Sequence, residues 1–276
     1  MTDSYAAYCV LDSGGEIAGD LAGLHACDVW NLSYRGMGVA VSILTKPIDD
    51  VVTGAIEHEK VVERLMQTHA VAPMRFPTIF GSGEAILAML ERHYSGFQDD
   101  LRRLRDRVEF GVRVLWPASS DFGLRTSDCG FVSLDQSAIR LGGSLGSETP
   151  GKLYMQERYR RHKHHQMLSD RAARFGRKLD AALSASAGEK RLRGFATDRF
   201  VFDGIYLVDK NRQVCFRGAF VDARSSEPGF RYLFSGPWPP YDFVTMPVME
   251  MAGPANGTVV PAPVECPGLM EDAART

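Results

Sequence analysis

The chain has 276 residues, of which 45% are apolar and 24% charged, with a formal net charge of −2. This composition is typical of a globular protein with one large or two ordinary domains. The near-zero net charge provides no global attraction for nucleic acid or an anionic membrane, and no apolar run is long enough to span a bilayer. Five dispersed cysteines and the absence of a secretory pattern favour a cytoplasmic protein with reduced thiols.

Residues 1–116 predict an α+β unit. Residues 5–11 are typical of a buried strand, and residues 26–44 of two strands around a turn. Apolar residues at steps of three and four predict helices over 48–69 and 83–107. Residues 108–116 alternate between apolar and polar side chains, which predicts a strand with one face in water. The order β-ββ-α-α-β predicts a sheet with two helices on one face, close to a ferredoxin-like unit.

The remaining chain predicts a second α+β unit. A long helix should begin near Thr149, with Pro150 at its first position, and run to about residue 183. Two strands around a turn at 197–198 and a short strand over 230–234 should follow. We therefore expect four segments: an N-terminal domain (1–120), a linker (121–148), a C-terminal domain with a long first helix (149–244) and a Pro/Gly-rich tail (245–276).

The first half of the long helix carries a basic cluster, "RYRRHKHH" at 158–165. His162 and His165 are spaced to share a metal, but zinc needs three or four ligands and no nearby carboxylate completes the set, so we expect no metal. The cations are compatible with nucleic-acid binding, although no known motif accompanies them. The other interpretations are a solvated face and a protein contact.

Arg75 and His58 stand next to predicted core. Arg75 lies between Met74 and Phe76, and an extended chain sends its side chain to the opposite face from both. Because a charge beside a core must be paired, we expect Arg75 to bind a carboxylate or free carbonyls. His58 falls within the apolar stripe of its helix and is predicted to be structural. No nucleophile–base pair, phosphate loop or pair of acids is evident, so we expect neither enzymatic activity nor a cofactor.

The segment "SGPWPPYDFV" at 235–244 combines three prolines with three aromatic residues. Proline excludes a helix interior or a central strand. A proline-rich ligand for another domain is disfavoured, because the segment directly follows an apolar strand. The prolines instead predict a stiff corner that positions Trp238, Tyr241 and Phe243, with Trp238 buried beneath the C-terminal unit.

This segment resembles the "TGPWPPYSFV" signature of the gas vesicle GvpL/GvpF family. The segment "PMRFPTIF" at 73–80 is similar to the family's "PMRFGTVF". The stretches "PGKLYMQERYR" at 150–160 and "FDGIYLV" at 202–208 also fit, in the same order along the chain. The sequence departs from the family pattern at Pro77, where glycine is usual, and at Asp242, where serine is usual.

The resemblance implies a two-domain α+β protein, each domain ferredoxin-like or modified ferredoxin-like, and favours a helix over 211–223. It implies an accessory role in gas vesicle formation, at the vesicle or in the cytoplasm, as a nucleation or chaperone factor or a minor vesicle component. The implied partners are the small hydrophobic GvpA-type shell subunit and other accessory proteins, with neither nucleic acid nor membrane. The alternative function is nucleic-acid binding through the basic helix at 158–165.

The resemblance and the residue patterns together nominate two sets of site residues. The structural motif comprises Pro73, Met74, Arg75, Phe76, Gly236, Pro237, Trp238, Pro239, Pro240 and Tyr241. The candidate partner contacts are Arg158, Arg160, Arg161, Tyr241, Phe243, Met246, Met249 and Met251.

Overall fold

The computed structural model describes residues 4–13, 17, 21–116, 150–195 and 200–245. The expected linker and nearly all of the expected tail lie outside these ranges. The described elements form two antiparallel sheets with helices packed on them, so the protein is of the α+β class.

The first sheet has the strand order β2-β3-β1-β4, and β5 also pairs with β1. Its elements are β1 (Ser4–Leu11), β2 (Trp30–Tyr34), β3 (Met37–Leu44), α1 (Val51–Leu65), β4 (Val71–Pro73), β5 (Ile79–Phe80), α2 (Gly83–Arg92) and α3 (Tyr94–Leu104). The central strand β1 is buried over most of its length because it has neighbours on both edges and helices on both faces. These elements confirm the predicted first strand, hairpin and helix.

The helices of the first unit cover both faces of its sheet, not one. Val61 and Val62 of α1 share a core with Tyr8 and Leu11, while Leu90 of α2 packs in the core on the other face. The expectation of two helices on one face was wrong, because helical periodicity does not reveal which face of a sheet a helix covers. Asp50 begins α1 by accepting hydrogen bonds from the backbone N–H groups of Val52 and Thr53.

The predicted helix over 83–107 is two helices. The backbone of His93 leaves the helical region (φ −113°, ψ 19°), which ends α2 and begins α3. Apolar residues continue in phase across the break, so the sequence pattern did not reveal it.

The second sheet has the strand order β7-β8-β6-β9. Its elements are β6 (Arg107–Leu115), α4 (Pro150–Ser184), β7 (Glu189–Phe195), β8 (Phe200–Asp209), α5 (Gln213–Ser226) and β9 (Arg231–Trp238). The sequence assigned β6 to the first unit, but it pairs with β8 and β9. Alternation identifies a strand without identifying the strands that it pairs with. The predicted limits of α4 and the helix implied for 211–223 are confirmed.

The two units share one core. Ile205 and Leu207 on β8 pack in the same cluster as Phe97 and Leu101 of α3, while α4 and α5 cover the opposite face of the second sheet. The layers therefore run α1, first sheet, α2 and α3, second sheet, α4 and α5. This stacking overturns the expected water-exposed face of β6, whose Glu109 is only 7% exposed.

Candidate functional site at the junction of the two sheets

The segment that follows β4 is tied into the first unit by its backbone. Met74 is buried, and its N–H donates to the carbonyl of Tyr8 over 2.9 Å. Its carbonyl lies 2.9 Å from Nε2 of buried His58. Burial lowers the pKa of His58 to about 4, so the imidazole is neutral near pH 7 and donates to this carbonyl. His58 thus has the structural role that its place in the apolar stripe predicted.

Asp242 joins the two family signature segments. The Arg75 guanidinium lies 3.3 Å from the Asp242 carboxylate, 167 residues away in sequence. This contact confirms that Arg75 binds a carboxylate. Arg193 on β7 donates to both carboxylate oxygens of Asp242 at 3.1 Å. One side chain therefore links residues 73–80, residues 235–245 and an edge strand of the second sheet; we call this region the junction.

Glu109 on β6 lies beneath this ion-pair network. Its Oε2 accepts a hydrogen bond of 2.9 Å from the backbone N–H of Asp242. Burial raises the pKa of the Glu109 carboxyl to about 8, and the nearby Asp242 carboxylate adds to the rise, whereas the N–H donor and Arg193 oppose it. Glu109 is therefore largely protonated at neutral pH.

A second polar link ties α3 to the end of the described chain. The guanidinium nitrogens of Arg103 lie 2.7 Å from a carboxylate oxygen of Asp100 and 2.6 Å from one of Glu189 on β7. The same guanidinium also donates to the carbonyl of Phe243. Asp100 is only 1% exposed and accepts both the N–H and the hydroxyl of Thr245, at 2.8 and 2.9 Å. These contacts hold residues 243–245 against α3.

The backbone of the second signature segment needs glycine at one position. Gly236 has φ +108°, and a Cβ there would lie 2.5 Å from the carbonyl oxygen of Glu109. Any larger residue would therefore clash with β6. The next residue, Pro237, follows a cis peptide bond on β9, which is an edge strand and so tolerates a missing N–H donor.

The aromatic residues of the segment are buried to different extents. Phe243 is 1% exposed and packs in the core shared by the two units, so its assignment as a partner contact was wrong. Tyr241 is half-buried, and burial followed by the charge of nearby Glu59 raises the pKa of its hydroxyl. Trp238 is 37% exposed, so the expectation that it is buried was also wrong. The corner buries Pro239 and Pro240 instead.

Two of the other expected contact residues lie on α4, away from the junction. Arg158 and Arg160 are exposed on α4, and α4 packs on the opposite face of the second sheet from the junction. The side chain of Arg161 and all of Met246, Met249 and Met251 fall outside the described residues. Across the described ranges, no three His, Cys, Asp or Glu side chains are grouped as a metal site would require. Nor does any helix in those ranges have the length and apolarity needed to cross a membrane.

Sequence reasoning missed four polar residues at or beside the junction: Asp100, Arg103, Glu109 and Arg193. Each stands in a segment whose pattern allows it to face water. Long-range packing buries Asp100 and Glu109 and brings Arg103 and Arg193 to their partners. The one available signal was Asp242, a charge in a corner crowded with aromatic residues. Because these charged groups are largely paired with one another, the arrangement is suited to hold the two units in a fixed orientation.

Both signature segments lie within the match to a known family. The family model described as "Gas vesicle synthesis protein GvpL/GvpF" matches residues 5–245. The chain belongs to the GvpL/GvpF family. This family member is 24% identical over 242 residues to gas vesicle protein F2 of Halobacterium salinarum, covering 86% of this chain and 90% of that relative. It is 28% identical over 204 residues to gas vesicle protein L of a Streptomyces species, covering 71% and 70%.

Solved structures show the same fold. The GvpF crystal structure from Anabaena sp. PCC7120 matches with a TM-score of 0.66 at 16% identity, covering 89% of this chain and 97% of that one. GvpF from Microcystis aeruginosa gives the same score and identity, with 89% and 100% covered. The GvpL/GvpF protein described here is therefore similar to both F-type and L-type relatives in sequence and to GvpF in fold.

Proposed function

We propose that this chain is an accessory protein of gas vesicle assembly that acts in the cytoplasm and at the vesicle. It binds the small hydrophobic shell subunit, as a nucleation or chaperone factor or as a minor vesicle component, and it associates with other accessory proteins. The family match across residues 5–245 carries this proposal. It is supported by the meeting of both signature segments at one junction, whose ion pairs and hydrogen bonds hold the two units in a fixed orientation.

The physical reason is the chemistry of a shell that excludes water. Its subunits must expose apolar surface before assembly, and exposed apolar patches aggregate unless a partner covers them. A partner of this kind needs exposed apolar side chains of its own. The chain has several, among them Tyr154, Tyr159 and Val214, which are 65%, 67% and 81% exposed. With a net charge of −2, long-range electrostatic steering contributes little.

Two finer structural proposals accompany this role. The order β-α-β-β-α-β and the strand order β7-β8-β6-β9 support a ferredoxin-like fold for the second unit. The pairing of β6 with β8 and β9 supports a domain boundary at residues 105–106, earlier than the expected boundary at 120.

Co-purification with the shell subunit tests the function. The tagged chain and the shell subunit from the same organism are co-expressed and captured at rising NaCl. We expect an interface of about 800 Å² per partner that survives added salt, because screening acts on exposed charges and not on apolar burial. No capture above that of the tag alone would refute shell-subunit binding. Loss of capture by a few hundred millimolar NaCl would show that charge, not apolar surface, supplies the affinity.

A further inference from the structure

The first half of α4 presents an exposed face. From residue 154 to residue 167, every side chain that the structure describes is exposed, and packing against the second sheet begins near Ala172. The 14 residues from 154 to 167 correspond to about 21 Å of helix.

This exposed face presents two adjacent ridges of side chains spaced by four residues. One ridge comprises Met155, Tyr159, Lys163 and Met167, and its neighbour comprises Tyr154, Arg158, His162 and Gln166. The large apolar members are 61–67% exposed. Ridges at this spacing are the surfaces that fit into the grooves of a second helix. Lys163 interrupts the apolar ridge with a methylene stem that can lie along it while the ammonium group stays in water.

The charge of this segment restricts its partner. Residues 150–167 contain five Lys or Arg side chains and one Glu, a net charge of +4 in a chain whose net charge is −2. A second copy would bring +4 against +4, so self-pairing through this helix is opposed by like charges. Carboxylates beside the apolar stripe of a partner helix would complement these cations.

We propose that residues 154–167 of α4 form a docking surface for an acidic amphipathic helix of a partner protein. The apolar residues of the partner pack against Met155, Tyr159 and Met167. Its carboxylates pair with cations of the segment, Arg158 and Lys163 among them. The apolar contacts supply affinity and the charges select the partner, as flanking charges do in coiled coils. The proposal does not depend on which gas vesicle protein carries that helix.

Two synthetic peptides test the proposal with the full chain. Both are three-heptad amphipathic helices with leucine in the apolar stripe; one has glutamate at the flanking positions and the other has lysine. Fluorescence anisotropy of each labelled peptide measures binding. We expect the acidic peptide to bind at least about tenfold more tightly than the basic one. Val214→Ser with Val221→Ser on α5, which removes two exposed apolar side chains elsewhere, should bind as the unmodified chain does.

Two variants of α4 separate the apolar and charge contributions. Met155→Ser with Tyr159→Ser should weaken binding of the acidic peptide at least about tenfold. Arg158→Glu with Lys163→Glu should reduce or reverse the preference between the peptides. Far-UV circular dichroism must show unchanged helicity in each variant. If the apolar variant loses helicity, the charge variant alone decides the outcome.

Three results would overturn the proposal. The first is no binding of the acidic peptide by the unmodified chain. The second is equal binding by the apolar variant, which would mean that charge alone attracts any anion. The third is tighter binding of a DNA duplex of similar charge, lost in the same variants, which would identify a nucleic-acid surface instead.

Discussion

Glu109→Gln should change how the stability of this protein depends on pH. In the folded protein, burial raises the pKa of Glu109 to about 8, whereas an unfolded chain has a glutamate pKa of about 4.3. The folded state therefore keeps a proton that the unfolded state loses. The free energy that protonated Glu109 contributes is fully present below about pH 4 and is lost as the pH rises through about 8. This contribution to the free energy of unfolding falls by at most about 1.4 kcal/mol per pH unit.

His58 has the opposite effect over part of this range. Burial lowers its folded pKa to about 4, below the unfolded value of about 6.5, so its contribution to stability increases with pH between these values. The two groups therefore largely cancel up to about pH 6.5. Above that pH, Glu109 alone should lower the free energy of unfolding, by roughly 1–2 kcal/mol by pH 8.

Urea unfolding of the Glu109→Gln variant and of the unmodified chain, at steps of half a pH unit from about pH 5 to about pH 8.5, provides the measurement. His58 contributes equally to both, so the difference between their free energies of unfolding isolates Glu109. Glutamine keeps an oxygen that can accept the Asp242 N–H but carries no titrating proton. The variant should therefore gain stability relative to the unmodified chain by roughly 2–3 kcal/mol between about pH 5.5 and 7.5. Asp222→Asn, at an exposed position on α5, is the control. Parallel curves for the Glu109→Gln variant and the unmodified chain would refute the reasoning.

The other predictions concern the second signature segment and are measured by urea unfolding near pH 7. Phe243→Ala should cost about 3–5 kcal/mol, because the ring is buried in the core shared by both units; a cost below about 1 kcal/mol would place the ring outside that core. Trp238→Ala should cost only about 1 kcal/mol, because the side chain is 37% exposed; a cost equal to that of Phe243→Ala would contradict this. Asp242→Ser should cost about 1 kcal/mol, since its partners Arg75 and Arg193 are half-exposed and such pairs are weak; an unchanged midpoint after Arg75→Ala in that background would confirm the shared contact. Gly236→Ala should cost more than Asp242→Ser, because it adds both positive-φ strain and a clash with β6; equal stability would show that β9 can move away.

Local periodicity and specific motifs were sufficient for much of the chain. Steps of three and four residues located α1, and Pro150 marked the start of α4, because helix geometry and capping depend on neighbours in sequence. The expectation that Arg75 binds a carboxylate or free carbonyls also came from sequence, since a charge beside a core cannot remain unpaired, and the structure shows the carboxylate of Asp242. The two signature segments identified the family that the match over residues 5–245 confirms.

Only the tertiary structure decided which surfaces meet. Alternation in β6 predicted a strand, but its assignment to the second sheet depends on hydrogen bonds to β8 and β9, which lie at least 85 residues away in sequence (Leu115 pairs with Phe200). Stacking of that sheet on α3 then buried Glu109, whose pattern had indicated a water-exposed face. The same packing buries Phe243 and leaves Trp238 at an edge, although both stand in one short segment. By itself the sequence determined the local helices and strands and the need to pair Arg75, because these follow from neighbouring residues. Which side chains are buried, and which strands pair, follows from contacts between distant segments, and a local sequence pattern carries no information about those contacts.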